Sequence, residues 1–158
     1  MRIRRVKKSD LPIFVIAYLY TYSSLADYHY SHPRDVKSYF KWLLKRDPQG
    51  FFVAEDNGEV LGFVASDARW EDFWGHKVLE IHEIFVVPSA QRKGIGTKLM
   101  EKALAYGRAK KRKLAELWVG EKNIQAQNFY EKLAFTKDGK WGKWIRYTKS
   151  LEEKLEKS

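Results

Sequence analysis

One stretch of the 158-residue chain carries the clearest chemistry: Val86-Val87-Pro88-Ser89-Ala90-Gln91-Arg92-Lys93-Gly94-Ile95-Gly96-Thr97-Lys98-Leu99. An apolar strand runs into it and a proline stops the strand. Three hydrogen-bond donors follow, then Gly-x-Gly, then an amphipathic run that reads as a helix. The first turn of a helix has unpaired N–H groups and the positive end of its dipole. Glycines let the backbone come close to a phosphate. The stretch therefore predicts a site for a phosphorylated ligand. Two familiar phosphate motifs do not fit. The dinucleotide fingerprint needs a third glycine, and the P-loop needs a glycine five residues before Gly96.

The strand before this loop carries two carboxylates, Glu80 and Glu83, among Leu79, Ile81, Ile84, Phe85 and Val86. A carboxylate held among apolar neighbours has its pKa raised, which suits a general base. Strict alternation predicts Glu83 on the face of Ile81 and Phe85, and Glu80 with His82 and Ile84 on the other. His29 and His32 are spaced H-x-x-H with no third ligand type nearby, so they read as surface histidines and no metal is expected.

The elements that must position these groups follow from periodicity and punctuation. Arg2 to Lys7 alternates as a first strand. Ser9-Asp10-Leu11-Pro12 starts a helix to about Tyr22, and Pro33-Arg34-Asp35 starts another that Asp47-Pro48 ends. Phe51 to Glu55 and Val60 to Ser66 are strands joined by a tight turn at Asn57-Gly58. Ser66 to Lys77 reads as a loop, although the strand could extend to Trp70. Leu79 to Val87 is a long strand, Gly94 to Lys111 a helix, and Leu114 to Val119 a strand parallel to the one before that helix. Asn123 starts a helix with Ala126, Phe129, Tyr130 and Leu133 inward. A closing hairpin spans Phe135 to Lys149, and Leu151 to Ser158 is a charged tail, read as a short surface helix. No repeat or linker interrupts the chain. The reading is an α/β mixed sheet flanked by helices, residues 1–158 as a single domain.

Composition narrows the classes. Hydrophobic residues make up 44% and charged residues 32%, which is globular rather than disordered. No apolar run reaches the ~20 residues of a membrane span, and the N-terminus lacks a signal-peptide core, which predicts a cytoplasmic protein. No cysteine is present, so thiol nucleophiles and disulfides are excluded; the composition also fits a thermophile. The net charge of +10 admits nucleic acid, an anionic membrane surface or an anionic cofactor as partner. The densest basic run, Arg108 to Lys113, falls at a helix end, where cations are favourable anyway. Nucleic acid and membrane are therefore not the expected partners.

The wider spacing Val86-x-Pro88-x-x-Gln91-Arg92-x-Gly94-x-Gly96 resembles motif A of the GNAT N-acetyltransferase family. Asn123-Ile124-Gln125-Ala126-Gln127-Asn128-Phe129-Tyr130-Glu131-Lys132-Leu133-Ala134-Phe135 resembles motif B, with Ala134 where glycine is usual. A methyl there matters only if the backbone needs positive φ. The order of elements also fits the GNAT fold, and the resemblance covers most of the chain.

The resemblance implies acetyl-CoA as co-substrate and direct transfer to a primary amine, on a small molecule or a protein. It implies a pyrophosphate held by Gln91, Arg92, Lys93, Gly94, Ile95, Gly96 and Thr97. The pantetheine arm would lie along Ile84, Phe85, Val86 and Val87, facing Asn123, Ala126, Phe129 and Tyr130. Tyr130 is the implied general acid and Glu83, or else Glu80, the base. The tyrosines between Tyr18 and Tyr30 are then either core packing or the acceptor pocket. A homodimer is compatible with the family. Two rivals stand beside this reading: a basic binding module, and an acyl-CoA sensor without turnover.

Overall fold

The computed structural model describes residues 1–24 and 27–152. The expected tail helix lies, beyond Glu152, outside them. Seven strands form one sheet: β1 (Arg2–Arg5), β2 (Phe51–Asp56), β3 (Glu59–Glu71), β4 (Lys77–Val86), β5 (Leu114–Gly120), β6 (Thr136–Trp141) and β7 (Trp144–Ser150), in the spatial order β1-β2-β3-β4-β5-β7-β6. Helices α1 (Leu11–Thr21) and α2 (Pro33–Arg46) pack on one face, and α3 (Ile95–Ala109) and α4 (Ile124–Lys132) flank the other.

Alternation in β2 shows why the sheet separates two cores. Phe51 and Val53 join Phe14, Tyr18, Phe40 and Phe63 under α1 and α2. Phe52 and Ala54 join Leu79, Leu99, Met100 and Leu117 on the α3 side. A strand buried on both faces reads as an unbroken apolar run.

β3 runs on to Glu71, so the loop expected from Ser66 shrinks to the turn before β4. Asp72 holds that turn: its Oδ1 accepts from the amides of Trp74 and His76, each at 2.9 Å. A side chain that caps backbone N–H groups two to four residues on makes a compact turn from a polar, loop-like composition.

All neighbouring strands are antiparallel except β4 and β5. That parallel pair is joined only at Leu79–Ala115 and Glu80–Glu116. Beyond those residues the two strands diverge, with no ladder between them. The divergence opens a cleft in the middle of the sheet, where backbone groups are left available to a ligand.

β4 also carries a bulge. Ala65 pairs with Glu83 but Ser66 pairs with Ile81, so His82 is the extra residue. An extra residue inverts the alternation beyond it. Leu79 and Ile81 face the α3 core before the bulge, and Ile84 and Val86 face it afterwards. Glu83 and Phe85 face α1 and α2. The expected grouping of Glu83 with Ile81, and of Glu80 with Ile84, is therefore corrected. The bulge gathers Glu80, His82 and Glu83 on one face.

Candidate active site

The cleft between β4 and β5 has a volume of about 1380 Å³. Its wall includes Glu80, Glu83 and Tyr130, together with Ile84, Phe85, Val86, Gln91, Arg92, Gly94, Ile95, Gly96, Thr97, Asn123, Ala126 and Phe129. Sequence motifs more than thirty residues apart thus meet in one place. Two expected members stand outside the wall. Val87 turns its amide to the carbonyl of Leu61 at 2.9 Å and packs between the cores, and Lys93 is exposed on the loop.

The loop entering α3 is shaped for an anion. Arg92 has φ 65° and Gly94, at the N-cap, has φ 79°. No side chain caps the helix, and the first intrahelical bond runs from the amide of Lys98 to the carbonyl of Gly94. The N–H groups of Ile95, Gly96 and Thr97 therefore have no helical partner. The side chain of Gln91 donates back to the carbonyl of Val86 at 3.0 Å and pins the loop to the end of β4. Gly96 is needed for a different reason. A Cβ there would stand 3.1 Å from the ring of Phe129, so α3 approaches α4 through this glycine.

α4 begins at Asn123, whose side chain accepts from the amide of Ala126. Burial raises the phenol pKa of Tyr130, and the charge of Glu83 adds to the effect. Tyr130 therefore stays a proton donor across the neutral range. Gln127, which motif reading passed over, donates from its amide group to the carbonyls of Gly120 and Glu121 and ties α4 to the end of β5. Ala134, just after the helix, has φ 67°. The position does need the left-handed backbone, so the alanine costs on the order of 1 kcal/mol relative to glycine.

On the α1–α2 face, Glu83 sits deep in the cleft under two tyrosines. The Tyr22 hydroxyl donates to Oε2 at 2.5 Å and that of Tyr39 to Oε1 at 3.0 Å. Burial pushes the carboxyl up to about 7, against the opposing pull of those two hydrogen bonds. Tyr22 also stacks on His29 with ring centroids 3.6 Å apart. Burial lowers the His29 pKa to about 4, so His29 is a neutral wall residue rather than the surface histidine expected from H-x-x-H. His32 is exposed, and its Nδ1 accepts from the amide of Arg34 at the start of α2. The tyrosine segment divides by position. Tyr18 is buried in the core and reaches the cleft wall, where Tyr22, Tyr28 and Tyr30 also stand, and Tyr20 is exposed. Among the described residues no group of three or more His, Cys, Asp or Glu side chains is placed to hold a metal ion.

Beside Glu83 lies a buried charge network that no motif announces. Arg146 on β7 pairs with Glu116 and Asp138 at 2.5 Å and lies 3.7 Å from Asp72, with its guanidinium over the Trp74 ring. Asp67 takes hydrogen bonds from Arg46 and His82 at 2.8 and 2.9 Å. Burial favours a neutral Asp67, yet these partners hold its pKa down to about 2. Glu80 is buried, and burial together with neighbouring Glu116 raises its pKa well above the ordinary value. Replacing Arg146 by methionine should strand Glu116 and Asp72. Losing one side of a buried pair costs about 3–5 kcal/mol, a fall in Tm on the order of 10 °C for a domain of this size. Thermal melts of both proteins check this; an unchanged Tm would refute it.

The sequence of residues 17–135 matches the family model described as the acetyltransferase (GNAT) family. An uncharacterised N-acetyltransferase of Archaeoglobus fulgidus is 55% identical over 131 residues, covering 82% of this chain and 89% of that protein. The chain belongs to the GNAT acetyltransferase family. It is accordingly an acyltransferase, and its sheet has the GNAT fold. The crystal structure of PH1933 from Pyrococcus horikoshii OT3 superposes with a TM-score of 0.86 at 36% identity, covering 98% of this chain and 99% of that one. The PaiA N-acetyltransferase of Thermoplasma acidophilum, solved in complex with coenzyme A, shares the fold at a TM-score of 0.80 and 19% identity, covering 94% and 98%. For this GNAT chain no helix among the described residues is long and apolar enough to cross a membrane.

Proposed function

We propose that the protein transfers the acetyl group of acetyl-CoA directly to a primary amine, with Glu83 as base and Tyr130 as acid. The observation that carries this reading is that one cleft joins the uncapped α3 N-terminus, the diverging end of β4 and a carboxylate poised near pH 7. The pyrophosphate would take the amides of Ile95, Gly96 and Thr97, with Arg92 beside them. The pantetheine arm would follow the β4 backbone opened by the divergence from β5. The coenzyme A seen in the Thermoplasma acidophilum neighbour supports this donor.

The amine must lose a proton, attack the thioester carbonyl and release a thiolate. Alkyl ammonium groups titrate near ~10, so a base is needed at neutral pH. Glu83 removes the proton, the C–N bond forms as the C–S bond breaks, and Tyr130 returns a proton to the sulfur. A strand amide near Phe85 or Val86 would polarise the thioester carbonyl. Glu83 suits the base role better than Glu80. Glu80 already shares a buried site with Glu116, where two like charges resist full ionisation.

Thiol release from acetyl-CoA against a panel of amines tests the reading. Amine-dependent CoA release supports it. Salt-dependent DNA binding without acetyl-CoA binding would favour a basic binding module instead. Tyr130→Phe should lower kcat about a hundredfold, within the usual range for a positioned acid, and leave the acetyl-CoA Kd unchanged. A wild-type kcat in that variant would remove Tyr130 from the acid role.

A further inference from the structure

The acceptor side of the cleft has a composition that selects among amines. Trp118 stands on β5 two residues beyond Glu116, on the same face, across the divergence from His82 and Glu83. Trp141 packs on it with centroids 5.3 Å apart, and Phe73 packs on Trp118 and Trp141 at 5.8 and 6.2 Å. The rings touch one another, so they form a shelf rather than a cage. Phe73 is 75% exposed and Trp141 45% exposed, yet both line the cleft that leads to Glu83. Exposed aromatic area continuous with a deep polar site suits a ligand with an apolar body and a polar tip.

The cations beside Glu83 and the aromatic rings are already matched. His82 is bound to Asp67, and Arg146 to Glu116 and Asp138. The ammonium of Lys143 donates to the carbonyl of Asp27 at 2.7 Å. Arg92 and Lys132 belong to the donor loop and α4. The cations beside Glu83 and the aromatic rings, His82 and Arg146, are thus both paired with acids, while Lys143 stands apart from them, over the rings of Tyr28 and Trp144. Asp67 is held by Arg46 and His82, and Glu116 by Arg146. Glu80 lines the cleft with no salt-bridge partner among the described residues, but burial beside Glu116 favours its neutral form, which leaves little for a second ammonium group.

A strap limits size. The ring of Tyr28 lies on the backbone of Gly120, where a Cβ would come within 2.4 Å of it. The Tyr28 hydroxyl accepts from the amide of Lys122, and Trp144 packs against the ring at 5.4 Å. Residues 27 and 28 are thereby fastened to the ends of β5 and β7, on the wall of the cleft. An extended polypeptide laid along the cleft would have to displace these contacts.

We propose that the acceptor is a small primary monoamine with an aromatic or bulky apolar body and no carboxylate beside the nitrogen, its body on Phe73, Trp118 and Trp141 and its nitrogen at Glu83. This rests on the acetyltransferase reading above. The test compares thiol release with 2-phenylethylamine, phenylalanine, spermidine, ethylamine and a short peptide with a free N-terminus. 2-Phenylethylamine should exceed each of the others in kcat/KM by at least about tenfold, the factor that one well-placed aromatic contact supplies. Phe73→Ala should raise its KM about tenfold and raise that of ethylamine, too short to reach the ring, by a smaller factor. Calorimetry with the CoA-loaded protein should show 2-phenylethylamine binding that weakens in Phe73→Ala. Higher kcat/KM for phenylalanine, spermidine or the peptide overturns the inference and leaves the acetyltransferase reading intact. So does an unaltered KM for 2-phenylethylamine in Phe73→Ala. Absence of thiol release with every amine overturns both.

Discussion

Glu83→Gln should lower kcat by about 10²–10⁴, the range a positioned general base supplies, while acetyl-CoA binds as before. The wild-type rate should fall as the pH drops through about 7, because the carboxyl that must accept a proton is then already protonated. In the glutamine variant that acidic limb should vanish, leaving a low rate with little pH dependence below neutrality. The substitution is conservative for the fold. Tyr22 and Tyr39 can each exchange a hydrogen bond with an amide as they do with the carboxylate. A steady-state pH–rate profile with saturating acetyl-CoA decides the matter. An unchanged acidic limb in Glu83→Gln would assign the titration to another group and reopen the place of Glu80.

The contrast between Glu83 and Glu80 marks where sequence reasoning reaches its limit. Both carboxylates were visible, and an apolar strand gave a sound reason to expect raised pKa values. Their grouping was not visible, because it depends on the single extra residue at His82. Nothing in the local composition distinguishes a bulged strand from a regular one, and a slip of one residue moves every later side chain to the other face. The tyrosines that hold Glu83 were hidden for a related reason. Tyr22, just past the end of α1, lies 61 residues away and Tyr39, in α2, 44 residues away, and only tertiary packing brings them together. Arg146 and Glu116 are likewise 30 residues apart on strands whose pairing no motif predicts.

What was legible had a local cause. Proline and glycine punctuation placed the helices and the Asn57-Gly58 turn, where both residues have positive φ. The donor loop was legible because its function depends on consecutive backbone groups, which a spacing pattern records directly. Ala134 shows the same dependence from the other side. The pattern expected glycine, and the backbone there takes φ 67° despite the alanine. Trp118 was within reach of a closer reading. It alternates with buried Leu117 and Val119, which places it with Glu116 on the opposite face of β5.

The donor loop itself supports the second large effect. Gly94 and Gly96 sit in one motif but answer to different constraints, so graded substitutions should separate them. A Cβ at Gly94 meets nothing within 4 Å, but φ 79° strains any L side chain. Gly94→Ala should therefore cost about 1–2 kcal/mol of local strain and weaken acetyl-CoA modestly. At Gly96 the backbone is ordinary helix, and the constraint is the Phe129 ring at 3.1 Å. Gly96→Ala should press α4 outward by a few tenths of an ångström and disturb the wall that carries Tyr130. Gly96→Asp adds a carboxylate at the helix N-terminus, a position that favours negative charge, so the helix itself survives. That carboxylate occupies the place of the pyrophosphate and repels it. One pair of like charges about 4 Å apart costs about 4 kcal/mol near a protein surface, on the order of a thousandfold in Kd. Isothermal titration with acetyl-CoA should show no measurable binding to Gly96→Asp, while circular dichroism retains the wild-type helix signal. A wild-type Kd in that folded variant would move the pyrophosphate away from the α3 N-terminus and take the donor assignment with it.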